Sequence, residues 1–298
     1  MAGKLKLKDT AGNDLQAEVI DLPGTYSLYP KSPEEELPFR LLCNPDHPLH
    51  PDVTIVIADG TNLKRNLFLC SQVRDLNIPV VLVINMMDLV RYKQTEIDFA
   101  KLEEYMGVRI VPMNARKNEG FDQLKAVIAS LPGKTTGQQL DVRSLAPEVV
   151  DNIRKTLHVN SDYNAFLVAN NLNVIDSFEL TDDQRAQITA TNERYEFNAP
   201  QLQAKETLQR YTLISQFLKD AVQEKQEPIQ HSYSYKIDSV LTHRFWGYFI
   251  FLSVLFIIFQ SIFTWASYPM ELIDNGFNWI NEKVQAGLPP GILNDLIV

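Results

Sequence analysis

Apolar residues follow two different periods over the first 137 residues of the chain. Short apolar or alternating runs, typical of strands, are Lys4 to Lys8, Gln16 to Asp21, Asp52 to Asp59, Pro79 to Asn85 and Arg109 to Ala115. Between them, helical spacing is found in Glu34 to Leu42, Asn62 to Leu76, Asp98 to Met106 and Gly120 to Leu131. This alternation predicts an α/β fold with a mostly parallel sheet, helices on both faces and a ligand at the carboxyl ends of the strands.

The first two predicted strands are expected to form a hairpin. Lys4 to Lys8 alternates lysine with leucine, as in an edge strand whose lysines face water, and Ala11 to Asp14 is a turn sequence. The second strand, which ends at Asp21, is expected to be buried and parallel to the later strands. A polar, proline-rich region then extends to Pro51 and is interpreted as a switch-like segment with one helix.

Four further helices are predicted after a polar linker over residues 133–143. They cover Ala146 to His158, Ala165 to Leu172, Thr181 to Arg194 and Ala204 to Gln223. The first is amphipathic, because its apolar residues fall on one stripe. Together these four helices predict a small all-α module, which contains no cluster of cysteine and histidine.

An uncharged apolar stretch from Phe245 to Trp265 predicts a transmembrane helix in contact with lipid. At about 1.5 Å per residue it spans the roughly 30 Å of a bilayer core, and aromatic residues lie at both ends. Lys236 and Arg244 precede it, whereas Glu271 and Asp274 follow it. The positive-inside rule therefore predicts that the N-terminal domains are cytoplasmic.

Charge and cysteine content exclude two classes of protein. A net charge of −9 argues against a nucleic-acid-binding protein, which needs a basic face for phosphate contacts. Cys43 and Cys70 do not form a disulfide framework, so a reducing compartment is expected, with Cys70 as a small core residue. His47 and His50 could bind a metal with a neighbouring aspartate, but the intervening Pro48 favours a rigid turn.

Residues suited to phosphate and Mg²⁺ follow the second predicted strand. Asp21 and Gly24 form a D-x-x-G sequence. The carboxylate of Asp21 can hold Mg²⁺ through water, and Gly24 lets a backbone N–H approach a terminal phosphate. The alternative is a strand-ending turn without a ligand.

Residues suited to guanine follow two later strands. Asp88 can accept hydrogen bonds from N1–H and the exocyclic amine of guanine, Asn85 can brace the loop and reach the base edge, and Met86 can lie on the ring face. Asn114 and Ala115 end the next strand, where a backbone N–H could reach the guanine carbonyl. Asn and Asp also end strands without any ligand, but three such placements together favour a guanine nucleotide.

Four segments resemble the G domain of ferrous iron transport protein B, the bacterial Fe²⁺ uptake protein. They are D-L-P-G-T-Y-S-L from Asp21, D-G-T-N-L-K-R-N-L from Asp59, N-M-M-D from Asn85 and N-A-R-K-N-E-G from Asn114. Asn114 departs from the usual serine or threonine of that family, and Met86 stands where a lysine is common. The resemblance implies GTP or GDP and Mg²⁺ as cofactors, and transported Fe²⁺ held by residues outside this chain.

The sequence has no phosphate loop of the form G-x-x-x-x-G-K-[ST]. Gly3-Lys4 has no strand before it, and Gly133-Lys134-Thr135 follows a helix and has Ile128 where the first glycine belongs. We therefore expect a partial P-loop GTPase-type sheet that lacks its central first strand and has two half-sheets with unpaired inner edges. Such a chain is expected to be truncated at both ends and inactive alone in GTP hydrolysis.

The resemblance also implies a domain organisation and partners. Residues 1–137 would be the partial G domain, 138–230 a helical regulatory domain of the GDP-dissociation-inhibitor type, 231–244 a juxtamembrane linker, 245–265 the membrane helix and 266–298 an extracytoplasmic segment. The implied location is the bacterial inner membrane. The implied partners are the remaining transporter helices, small accessory iron-transport proteins and a second copy of the chain.

Two other functions are compatible with the residues. A membrane-anchored interaction protein could keep a degenerate G domain that does not hydrolyse GTP. A soluble GTPase is a third possibility, which the apolar stretch from Phe245 to Trp265 disfavours.

Overall fold

The computed structural model describes residues 2–8, 14–130, 140–157, 159, 161–172, 180–224, 240–265 and 267–287. The chain forms two compact units, Met1–Gln226 and Glu227–Val298. The predicted linker lies outside the described residues up to residue 139, but its last part is not a solvated linker, because Leu140 and Val142 are buried in the core. The turn before Asp14 and Lys236 also lie outside the described residues.

The described strands of the first unit form three separate sheets. Strands β1 and β2 are antiparallel, β3, β4 and β6 form a parallel sheet with β4 in the centre, and β5 and β7 are antiparallel. The strands are β1 Ala2–Lys8, β2 Asp14–Ile20, β3 Thr54–Asp59, β4 Val80–Asn85, β5 Thr95–Ile97, β6 Arg109–Pro112 and β7 Val222–Glu224.

The described helices of the first unit connect these strands and then follow them. They are α1 Pro33–Cys43, α2 Leu63–Arg74, α3 Met87–Tyr92, α4 Phe99–Met106, α5 Phe121–Ala129, α6 Pro147–Leu157, α7 Asp162–Asn170, α8 Asp182–Arg194 and α9 Ala199–Ala221.

The parallel sheet is covered on both faces, which confirms the predicted α/β architecture. Strand β4 is a continuous aliphatic run because both of its faces are buried. On one face Val81 and Val83 pack with Leu124 of α5. On the other face Leu82 belongs to the larger core, which includes Cys70 of α2. Cys70 is fully buried, as predicted.

The hairpin of β1 and β2 is confirmed, but the environment predicted for β2 is wrong. Lys4 and Lys6 face solvent as expected. Strand β2, however, is antiparallel to β1 and mostly exposed, not buried and parallel. The reason is that its only strand partner among the described residues is β1, so neither edge of this hairpin joins the parallel sheet.

The helices after residue 140 pack directly against the α/β part. Helix α9 stacks Tyr211 on Phe68 of α2, with ring centroids 4.6 Å apart, and Phe217 on Tyr105 of α4, with centroids 4.3 Å apart. A strand also follows α9, because β7 pairs with β5. The predicted helices are present with shifted ends, and both parts belong to one compact unit. The proposed domain boundaries stay a prediction.

The second unit contains an apolar helical stretch. Helix α10 spans Trp246–Gln260, a π-helical turn spans Ser261–Trp265, and helix α11 spans Ser267–Gly287. By length and composition, the stretch Trp246–Lys283 could cross a membrane. None of its most apolar window is buried, unlike the core helix of a soluble protein.

Candidate nucleotide-binding site

The carboxyl ends of β4 and β6 are joined by a side chain of the candidate site. Asn85 ends β4, and its Oδ1 accepts a hydrogen bond from the backbone N–H of Ala115 at 3.0 Å. Two backbone bonds add to this connection, from Met113 N to Ile84 O and from Met87 N to Met113 O. The predicted bracing role of Asn85 therefore corresponds to an observed contact between loops 30 residues apart in sequence.

Met86 and Asp88 flank this bridge at the start of α3. Met86 has a left-handed backbone, with φ of 60°, and its side chain is 42% exposed. That conformation turns the chain sharply between β4 and α3 and leaves an apolar side chain in solvent beside the loop. Asp88 accepts a hydrogen bond from Leu89 N at 3.1 Å. A carboxylate has several acceptor positions, so this bond leaves capacity for a ligand's donors.

In the loop after β6, Asn114 and Ala115 make different hydrogen bonds. Asn114 is 3% exposed and caps the 3₁₀ turn Ala115–Lys117 by accepting a hydrogen bond from Lys117 N at 3.3 Å. It is thus a buried structural residue. The N–H of Ala115, predicted to reach the guanine carbonyl, already donates to Asn85. A base contact through Ala115 would need that bond to be shared or exchanged.

Gly60 allows the β3 and β4 ends to approach each other closely. Its N–H donates to Asn85 O at 3.0 Å, and a Cβ at this position would lie 2.6 Å from Val90 Cγ2. The adjacent Asp59 accepts hydrogen bonds from Thr61 N and Oγ1 at 2.7 and 2.8 Å. The D-G-T segment is therefore a tight turn that supports the site.

Asp21 and Gly24 lie apart from this sheet, in the loop that follows β2. Both are exposed, and a Cβ at Gly24 would meet no atom within 4 Å. Farther along the loop, Leu28 N donates to Gln72 Oε1 of α2 at 2.9 Å. The structure therefore brings Asn85, Met86, Asp88, Asn114 and Ala115 together, and it places Asp21 and Gly24 at the end of a separate hairpin.

The sequence did not predict a buried ionic cluster that contacts the end of the loop after Asp21. Asp75 accepts hydrogen bonds from Arg74 Nη2 at 2.7 Å and from Arg210 Nη1 at 2.8 Å. Arg210 Nε donates to Glu206 at 2.6 Å, and Tyr29 OH donates to the other oxygen of Glu206 at 3.3 Å. The available signal was the spacing of Glu206 and Arg210, which lie four residues apart on one helix.

Burial and charge shift the ionisation of this cluster. Burial, and then the negative charge of Glu206, raise the pKa of Tyr29 well above its ordinary value. Burial acts to lower the pKa of Arg210, but neighbouring Tyr163, Asp75 and Glu206 raise it above its ordinary value. Tyr29 is therefore neutral and Arg210 is charged at physiological pH. The hydrogen bond from Tyr29 to Glu206 connects the end of the Asp21 loop to α9, and the ion pair of Glu206 with Arg210 holds that carboxylate in place.

The histidines that could have bound a metal take part in local turn contacts. His47 Nδ1 accepts a hydrogen bond from Leu49 N at 3.0 Å, and His50 Nδ1 lies 3.0 Å from Leu41 O. In the part of the chain that the structure describes, no group of three or more Asp, Glu, His or Cys residues is placed to hold a metal ion.

Comparison with known families gives a match over the region that contains every candidate residue. The family model described as ferrous iron transport protein B matches residues 4–128. A curated relative is the Fe(2+) transport protein A/Fe(2+) transporter FeoB fusion protein of Porphyromonas gingivalis, 29% identical over 96% of this chain. Residues 4–128 therefore match the ferrous iron transport protein B family. It spans 36% of the length of that relative.

Solved structures of the same family share the fold. The cytosolic domain of L. pneumophila FeoB is 24% identical, with a TM-score of 0.58 over 74% of this chain and 84% of that one. A GDP-bound mutant of the S. thermophilus FeoB G domain is 26% identical, with a TM-score of 0.52 over 69% of this chain and 81% of that one. Over 74% of its length the chain therefore shares the fold of a FeoB cytosolic domain.

Proposed function

We propose that this chain is the guanine-nucleotide-binding cytoplasmic portion, with the first membrane helix, of a ferrous iron transporter in the bacterial inner membrane. The observation that carries the proposal is the bridge from Asn85 Oδ1 to Ala115 N, since it joins two loops beside the exposed side chain of Met86 and the half-buried carboxylate of Asp88. The GDP-bound relative with the same fold supports this choice of ligand.

The chemistry of base recognition resides in Asp88. Guanine presents two adjacent N–H donors on its pyrimidine edge, and the two oxygens of one carboxylate accept both. Adenine presents a donor and an acceptor there, so a carboxylate discriminates against it. Met86 supplies an apolar surface for the ring face, because its side chain is exposed beside the loop.

Nucleotide state would be transmitted through the loop that carries Asp21. The exposed carboxylate of Asp21 suits Mg²⁺, held through water, and Mg²⁺ would neutralise phosphate charge there. The same loop ends at Leu28 and Tyr29, which hydrogen-bond to α2 and α9. A change in the loop would thus reach the helical part, through which nucleotide binding regulates the uptake of Fe²⁺, the cargo.

A membrane-anchored interaction protein with a non-hydrolysing G domain is the second candidate function. It is favoured by the candidate residues themselves, which include two carboxylates and no lysine or arginine to hold phosphate charge. Binding of a guanine nucleotide without regulated Fe²⁺ uptake would separate this function from the first.

The test of guanine recognition is Asp88→Asn. An asparagine amide presents one acceptor and one donor, which match xanthine instead of guanine. We expect the GDP affinity of the full chain in detergent to fall by about 1 to 3 kcal/mol, the scale of a hydrogen bond to a charged group, and the preference to move to xanthosine diphosphate. Equilibrium dialysis with both labelled nucleotides measures this change.

Asp122→Asn is the matched control, because that carboxylate lies on α5 and is fully exposed. This variant should leave the preference for GDP over xanthosine diphosphate unchanged. Equal affinity of the unmutated chain for GDP and ADP would reject base recognition by Asp88.

A further inference from the structure

Helix α11 has a polar side and an apolar side. Successive residues of an α-helix are 100° apart, so residues three and four positions apart share a side. The acidic and amide residues fall within one arc of about 120°; they are Glu271, Asp274, Asn275, Asn278, Asn281 and Glu282. The opposite arc is apolar and contains Met270, Leu272, Ile273, Phe277, Trp279 and Ile280.

The apolar side of α11 is not covered by any described residue of the chain. Every side chain of residues 267–280 is exposed, and Met270 and Phe277 each expose 67% of their surface. Helix α10 is also exposed, but it is apolar on all sides and has no charged residue. A helix that is apolar all round is typical of a membrane span, whereas a helix with one strongly polar side is typical of a membrane surface.

The apolar helical stretch is too long to lie wholly across a bilayer. It contains 38 residues, from Trp246 to Lys283. At 1.5 Å per residue this is about 57 Å, roughly twice the thickness of a hydrocarbon core. Helix α10 and the π-helical turn after it, with 15 and 5 residues, are about as long as one crossing. Helix α11 therefore begins near the surface at which that crossing ends, after a turn of a kind that often accompanies a change in helix direction.

The polar side of α11 makes a second crossing unfavourable. The carboxylates of Glu271, Asp274 and Glu282 would then lie in hydrocarbon, where charged groups are costly. In a helix parallel to the surface, the same side faces water. Lys283 is the one charged residue on the apolar side, and its Nζ lies 5.9 Å from the centroid of the Trp279 ring. Lysine stems commonly follow apolar surface up to the headgroups, and tryptophan is enriched at that depth.

We propose that α11 lies parallel to the membrane surface, in the leaflet at which α10 ends, and that its partner is the lipid itself. Ile273, Phe277 and Ile280 lie among the acyl chains, and Glu271 and Asn278 face water. The position fixes the depth and the rotation of α10, because the apolar side enters the lipid in one orientation only. The proposal rests on the membrane helix of the proposed function.

Spin labelling of the full chain in phosphatidylcholine vesicles tests this arrangement. One cysteine at a time is introduced over residues 268–283, and Leu252→Cys and Phe256→Cys report on α10. Cys43 and Cys70 are buried, and the unmutated chain measures any label that they take up. Electron paramagnetic resonance then compares collisions of each nitroxide with oxygen, which is concentrated in lipid, and with a water-soluble nickel chelate.

We expect the depth of the labels along α11 to oscillate with the helical period around a constant mean. Labels at Ile273, Phe277 and Ile280 should lie about 5 to 10 Å below the headgroup boundary, with frequent oxygen collisions. Labels at Glu271 and Asn278 should collide mainly with the nickel chelate. The two labels in α10 should lie deeper than any label in α11.

Phe277→Asp and Asn278→Asp are a matched pair, since each adds one carboxylate and the two positions are adjacent. Phe277→Asp places its charge on the apolar side, so the label at Ile273→Cys should move toward water and collide with nickel as often as a label on the polar side does. Asn278→Asp places its charge on the polar side and should leave that label at its original depth. Circular dichroism verifies that both variants keep their helix content.

The possible outcomes separate this proposal from the proposed function. A depth that changes steadily along α11 means a second crossing and overturns the proposal. Few collisions with either agent on the apolar side mean a protein contact, such as a second copy of the chain, and also overturn it. Nickel collisions throughout α11, with both α10 labels in lipid, overturn the surface helix and keep the membrane helix. Nickel collisions at the two α10 labels reject the membrane helix itself.

Discussion

At the scale of single residues, Arg210 is a charged side chain buried in the first unit, so it depends on its ion-pair partners. The residue is 1% exposed, yet its guanidinium stays charged because Asp75 and Glu206 accept its hydrogen bonds. A buried ion pair adds little net stability compared with an apolar replacement of the whole set, but the loss of one member leaves the others buried without compensation. The cluster is therefore a strong determinant of how α9 docks on α2.

We expect Arg210→Met to lower the free energy of unfolding by about 3 to 5 kcal/mol, because Glu206 would lose the cation that offsets its burial, while Asp75 would retain its ion pair with Arg74. Urea unfolding of the full chain in detergent measures the loss. Arg40→Met is the matched control, since Arg40 also pairs with a glutamate four residues away but both side chains are partly exposed. The control should lose about 0.5 kcal/mol or less. Similar losses in the two variants would contradict the role of burial.

The buried thiols predict a dependence of stability on alkaline pH. Burial raises the pKa of Cys70 from its ordinary value of 9.0 to about 12. Above pH 9 the unfolded chain loses this proton while the folded chain keeps it, so the unfolded state binds fewer protons and stability falls as pH rises. Burial raises the pKa of Cys43 in the same direction.

For Cys70 we expect a contribution of up to about 1.4 kcal/mol of lost stability per pH unit above pH 9. Urea unfolding between pH 8 and 11 measures the slope. In Cys70→Ala, the free energy of unfolding should fall less steeply with pH above pH 9 than in the unmutated chain, and its dependence on pH below pH 8 should be the same. An identical slope at high pH in the variant would show that the thiol is not protected by the fold.

At the scale of elements, the turn between β6 and α5 depends on one glycine. Gly120 has a φ of +86°, and a Cβ there would lie 2.5 Å from Pro112 O. Both the left-handed backbone and the close contact exclude a side chain. This turn closes the loop that holds Asn114 and Ala115, so an element boundary fixes the geometry of the candidate site.

We expect Gly120→Ala to cost about 1 to 3 kcal/mol, the scale of a strained backbone conformation. Gly24→Ala is the control for stability, because a Cβ added there would meet nothing within 4 Å and its backbone is not left-handed. That control should change the stability by about 0.5 kcal/mol or less. Thermal unfolding monitored by circular dichroism compares the two, and equal midpoints would reject the argument.

At the scale of the whole molecule, the proposed function combines a nucleotide site in the first unit with a membrane helix in the second. The chain by itself should nevertheless not turn over GTP above background. Phosphoryl transfer depends on positioning and charge stabilisation of the phosphates, and the candidate site contributes carboxylates without a cation.

Phosphate release from the detergent-purified chain, with GTP and Mg²⁺, tests this expectation. The rate should equal that of Asp21→Ala. A rate clearly above that variant would mean that another group of this chain holds the phosphates.

The sequence by itself determined the fold class and the positions at which chemistry could occur. The aliphatic run of β4 and the polar residues after it are a local pattern, because a strand buried on both faces has to be apolar and its end has to turn. For that reason the sequence predicted the candidate binding residues Asn85, Asp88 and Asn114. The FeoB relationship also follows from local segments, which lie within the residues matched by the family model.

The tertiary structure alone decided which of these residues meet. Strand β2 is exposed in a separate hairpin because its strand partner among the described residues is β1. No residue pattern within β2 indicates which strand it pairs with. The donation of the Ala115 N–H to Asn85 depends on the register of two strand ends. The pairing of Asp75 with Arg210 joins residues 135 positions apart, so it exists only after α9 packs on α2. Periodicity reports which face of an element is buried, whereas contacts between distant elements are fixed by packing.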